Sequence, residues 1–129
     1  MIDDKMNRIQ FYSDLKNSFP EIAQLRFWNE NDYVNEPFSS SAIMIEIGEI
    51  VITWAELNEI EKIQNLMKFL ELSYQLYDNE STSCIYTGLL PTLVSMKNID
   101  LREIIKKQFL TETMKHYNQL IDLGFYTEN

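Results

Sequence analysis

At 129 residues the chain is one ordinary domain, long enough to bury a real core. With 45% hydrophobic and 12% aromatic residues it is not a disordered chain, and three Gly and three Pro are too few for the many corners of a β-sandwich. A formal net charge of −9 sets it against nucleic acid and anionic membranes, which would repel it.

The acidity is unevenly placed. Residues 1–61 carry twelve acids against four bases, whereas residues 62–129 carry eight against seven. Between positions 29 and 61 stand eight acids and no Lys or Arg. A surface made only for solubility interleaves both signs, while a one-sign field steers a basic partner.

The chain reads as a single domain over 1–129, without repeats or linkers. Residues 3–18 suit an amphipathic helix through Met6, Ile9, Tyr12 or Ser13, and Leu15 or Phe19. Asp3 and Asp4 stand at its positive end. Pro20 ends it or opens the next, a short helix over 21–28 with Ile22, Leu25 and Trp28 on one face. Residues 29–41, rich in Asn, Ser and acids, read as a long exposed loop with Tyr33 and Phe38 as aromatic anchors.

Residues 43–54 are open to two readings. Ile43, Ile45 and Ile47, then Ile50, Ile52 and Trp54, alternate about Gly48 as in a short β-hairpin. In a helix, Ile43, Ile47, Ile50, Val51, Trp54 and Leu57 form one stripe, and Glu46, Glu49, Thr53 and Glu56 form another. Two coherent stripes favour helix.

A helix over 58–78 follows from Ile60, Ile63, Leu66, Met67, Leu70, Tyr74 and Tyr77, with Asn58 and Glu61 in capping order. Residues 78–81 read as a turn. A helix over 82–97 contains Pro91, which must kink or restart it. Asp100 and Glu103 have capping-box spacing before a last helical stretch from Leu101 to Ile121, with a break near Thr111 and Gly124 as terminator. The expected fold is all-α: five to six helices packed as antiparallel pairs, with the short β-hairpin at 43–54 as the alternative.

No catalytic or metal machinery is expected. His116 and Cys84 are single residues of their kinds, far apart in sequence, so zinc ligation has no basis. His116 reads as a surface or half-buried helical residue and Cys84 as a small core residue. There is no nucleophile elbow, phosphate-binding loop or dinucleotide fingerprint, and Gly48 and Gly88 stand alone. The acid-rich loop lacks the glycine and terminal Glu of a calcium-binding EF-hand. No cofactor or metal is expected, and the protein is not expected to be an enzyme.

One cysteine forms no internal disulfide, the first ten residues lack a basic start and apolar run, and no apolar stretch nears the about 20 residues of a membrane span. These point to a cytoplasmic protein that binds neither membrane nor nucleic acid. Monomer and homodimer both stay open.

The layout resembles small helical bacterial immunity proteins of toxin–immunity systems, of the contact-dependent inhibition or polymorphic toxin kind. The resemblance rests on Phe19-Pro20-Glu21 after an opening helix, Gly48-Glu49-Ile50 in an apolar segment, Phe69-Leu70-Glu71 in a long helix, a helix like that from Ile85 to Met96, and a final pair ending near Phe109-Leu110 and Tyr117. The β-branched run from Ile50 to Thr53 and Pro91 depart from it. The resemblance implies a protein that neutralises a cognate toxin. Since many such toxins are nucleases with basic sites, an acidic surface with aromatic anchors suits the task. The residues expected to contact the toxin are Glu30, Asp32, Tyr33 and Glu36, with Glu46 and Glu49 behind them. The alternative function is a cytosolic type III secretion chaperone, which a hairpin at 43–54 in a homodimer would favour.

Overall fold

The computed structural model describes residues 8–26, 28, 40–124 and 127, and among these the protein is all-α, with no β-strand. Helix α1 spans Arg8–Ser18, α2 spans Pro20–Ala23, α3 spans Ser40–Glu56 and α4 spans Ile60–Leu76. Helices α5 (Asn79–Cys84) and α6 (Leu90–Val94) are joined without a break by a π-helical turn, Ile85–Leu89. Helices α7 (Ile99–Lys106) and α8 (Thr111–Asp122) complete the fold. No helix is long and apolar enough to cross a membrane among these residues.

Helix α3 is the hub, touching α4, α5, α6, α7 and the π turn. The hairpin alternative for 43–54 is therefore corrected: the segment is one helix of 17 residues. Its buried side is Ile43, Met44, Ile47, Val51, Trp54 and Ala55, and its outward side carries Glu49, Thr53 and Glu56. Periodicity near 3.6 outweighs β-branched propensity because a helix buries Ile43, Met44, Ile47, Val51 and Trp54 together on one side, at the cost of leaving Ile45 exposed. Gly48, a poor helix former, is required there. A Cβ on it would sit 2.9 Å from Thr92 Cγ2.

Gly88 makes the reciprocal approach: a Cβ there would lie 2.6 Å from the Ser41 carbonyl oxygen and 2.7 Å from Met44 Cβ. The π turn that holds Gly88 also answers the question set by Pro91. Proline offers no N–H to the preceding turn, and that turn widens so that Leu90 N–H reaches the Ile85 carbonyl. Thr92 Oγ1 donates to the Gly88 carbonyl at 2.8 Å.

Several boundaries differ from the sequence reading for local reasons. Asn58 does not start α4. It ends α3, at φ 59°, with its N–H on the Ala55 carbonyl and the Glu59 N–H on the Trp54 carbonyl. That is a Schellman closure, and Asn tolerates its left-handed residue. Asp78 opens α5 by accepting from Ser81 N at 2.8 Å, so residues 79–81 are helix and not turn. Asn98, and not Asp100, caps α7, accepting from Leu101 N at 3.1 Å. In α1 the buried residues are Phe11, Tyr12 and Leu15, while Ile9 is exposed. Met6 lies outside the described residues. The break near Thr111 and the Gly124 stop, at φ 79°, fall where the sequence placed them.

Candidate functional site

Of the six residues expected to contact a partner, Glu30, Asp32, Tyr33 and Glu36 lie outside the described residues. Glu46 and Glu49 are brought together one turn apart on α3, and both line an open groove of about 350 Å³. Its walls come from three places. The α2 end gives Glu21, Gln24 and Leu25, the outward edge of α3 gives Ile50, Thr53 and Trp54, and the α3–α4 connection gives Leu57 and Glu59. The sequence folds this way locally because the Schellman closure at Asn58 turns the chain sharply. Leu57 is thereby left 64% exposed at the rim.

Four carboxylates face this groove, and among its lining residues there is no Lys or Arg. The floor is apolar. Trp54 is buried, and Leu25 and Ile50 are half-buried. The groove thus sets the exposed Glu21 and Glu49 and the half-buried Glu46 and Glu59 around an apolar floor.

Glu21 organises the site. One carboxylate oxygen accepts the indole N–H of Trp54. The other accepts Lys62 Nζ at 2.6 Å, and Lys62 also donates to Glu59 at 3.0 Å. The Lys62 bond, then the Trp54 bond, holds the Glu21 carboxyl below its ordinary value. The same bond to Glu21, followed by that to Glu59, raises the Lys62 ammonium. Beyond this bridge lies a second cleft of about 430 Å³, walled by Phe19, Trp54 and Phe69 with Lys62 and Asn65.

Sequence reasoning missed Glu21, Trp54, Leu57, Glu59 and Lys62 as parts of one surface. Helical spacing places Trp54 and Leu57 on the apolar stripe of 43–57, and Glu21 stands out only in the Phe19-Pro20-Glu21 step. One signal was present: Lys62 is the first base after the base-free stretch 29–61.

No group of three or more His, Cys, Asp or Glu among the described residues could hold a metal ion. His116 is half-buried, its ring 5.0 Å from that of Tyr74 and 5.9 Å from that of Tyr86. Cys84 is buried, and burial pushes its thiol up to about 12, so it is a core residue and not a nucleophile at neutral pH.

Residues 12–124 match the family described as a domain of unknown function, DUF7674. The chain belongs to the DUF7674 family. The match runs from Tyr12 in α1 to Gly124 after α8, so it takes in the hub helix and every residue that lines the groove. No curated protein and no solved structure matches the chain.

Proposed function

We propose that this protein is an immunity protein, which binds and neutralises a cognate basic toxin domain of nuclease type. Its acidic surface is the contact face. The observation that carries the reading is the groove at Trp54, where four carboxylates ring an apolar floor and no lining residue is basic. A nuclease site is positively charged because it must hold phosphates. An acid-ringed groove attracts such a surface, and opposite charge brings association toward on the order of 10⁸ M⁻¹s⁻¹ at low salt. Apolar contact with Leu25, Ile50 and Leu57 then slows release, the step that sets most affinity differences. The net charge of −9 adds long-range steering.

The test is protection. Where a toxin domain is encoded beside this chain, that domain is expressed in bacterial cells with and without the chain, and survival is scored. Cells should survive with the parent chain and die with Glu46→Lys/Glu49→Lys, whose helical content should be unchanged. Equal killing with and without the parent chain would sink the reading.

A further inference from the structure

Within the reading just given, the groove carries a mark of what it binds. Glu21, after Pro20 on α2, and Glu59, before α4, lie far apart in sequence, yet one ammonium bridges them: Lys62 Nζ is 2.6 Å from Glu21 Oε1 and 3.0 Å from Glu59 Oε1. Both acids line the groove, but Lys62 reaches them from the neighbouring cleft. We propose that Lys62 stands in, in the free protein, for a basic side chain of the partner. On this proposal the groove recognises a protein segment with an arginine or lysine beside an apolar residue. This inference rests on the groove being the partner-contact surface.

Three features carry it. The cation position is built and not accidental, because the second oxygen of Glu21 is tied to the indole of the buried Trp54, which fixes the carboxylate before any partner arrives. The occupant is easily exchanged, since the Lys62 side chain is 42% exposed and exposed ion pairs hold weakly. An incoming guanidinium also has the advantage over an ammonium, as its planar fork can address a carboxylate through two bonds. The apolar part of the match is Leu25, Ile50 and the exposed Leu57, which flank Glu46 and Glu49. Charge complementarity excludes nucleic acid and anionic lipid as occupants, and the apolar floor asks for more than a free cation.

The full chain with Trp28→Phe makes Trp54 the only indole and hence the reporter. The probe is a twelve-residue synthetic peptide of alternating arginine and leucine, with a glutamate–leucine peptide as its counterpart. Removing an internal competitor should tighten binding, so Lys62→Met should bind the arginine peptide about two- to fivefold more tightly than the parent. Lys68→Met, which removes the same charge elsewhere on α4, should change it much less. Glu21→Gln should weaken it, and the glutamate peptide should not bind.

Equal effects of Lys62→Met and Lys68→Met would overturn the stand-in, as would failure of the arginine peptide to bind at low salt. The groove reading survives those results if Glu46→Lys/Glu49→Lys still abolishes protection against the toxin. If protection and peptide binding are both indifferent to that double reversal, the groove and the stand-in fall together.

Discussion

Helix α3 presents two surfaces built on opposite terms. Along one, it meets the π turn and α6 so closely that neither Gly48 nor Gly88 has room for a single carbon. Along the other, at the Trp54 end, it leaves an open groove lined by four acids, two of which Lys62 bridges from the neighbouring cleft. The first surface has no polar chemistry to spare and sets the fold. The second sets the exposed Glu21, Glu49 and Leu57 over the buried Trp54. One helix serves both because its apolar and acidic stripes have the same period and lie on different sides.

This contrast is broken if changes in the seam alter binding of the folded protein, or if changes in the groove alter stability. The largest expected effect lies in the seam. Leu89 is fully buried, and its Cδ1 lies 3.5 Å from where a Cβ on Gly48 would be. Leu89→Ala should lower unfolding stability by about 2–5 kcal/mol in urea titration, because it opens a cavity that packed helices close only partly. Gly88→Ala adds a carbon against the backbone of Ser41, which cannot rotate away. It should cost about 1–3 kcal/mol, by overpacking and not by loss. Both variants, once folded, should bind the arginine–leucine peptide with the parent's affinity. A groove reversal such as Glu49→Lys should do the opposite, leaving stability within about 0.5 kcal/mol.

These two surfaces were not equally legible in the sequence. The seam's helix was readable because six large apolar residues and four polar ones repeat together over 43–57. What hid the rest was chemistry that acts across distance. The approach of Gly88 to Ser41 joins residues 47 positions apart, so the glycines looked isolated. Asn58 can cap a start or close an end, and only the geometry of Leu57 and Glu59 decides between them. The groove was half visible. Glu46 and Glu49 follow from helical spacing, but Glu21 and Lys62 meet through tertiary packing that no spacing announces.

A smaller effect is expected where the fold borrows a cap. Helix α8 begins after Leu110, whose side chain cannot cap. Glu71 on α4 supplies what is missing, accepting from Glu112 N at 2.7 Å and from Thr113 N at 3.4 Å. A carboxylate at a helix N-terminus also meets the favourable end of its dipole. Glu71→Ala should therefore cost about 1 kcal/mol, the ordinary worth of an N-cap, and Glu71→Gln less. The Phe69-Leu70-Glu71 step is thus structural, and neither variant should change peptide affinity.

The smallest effect on stability, and the sharpest on the groove, should come from acid. Glu21 titrates below its ordinary value of 4.5, chiefly because Lys62 holds it and next because Trp54 does. A carboxyl lowered in this way stabilises the folded state above its ordinary pKa, and that contribution is lost as pH falls through the lowered value. Being exposed, the pair contributes little to overall stability, so the unfolding midpoint should barely move from this cause between pH 6 and pH 4.5. The Trp54 indole is different, since it loses its charged acceptor when Glu21 is protonated. In the Trp28→Phe background its emission should shift in one step with a midpoint below 4.5. Lys62→Met, by removing the largest cause, should move that midpoint upward toward the ordinary value, and Glu21→Gln should abolish the step. A midpoint that ignores Lys62 would mean that the lysine does not hold Glu21 in solution, and the bridge over the groove would then not be the feature that separates its two clefts.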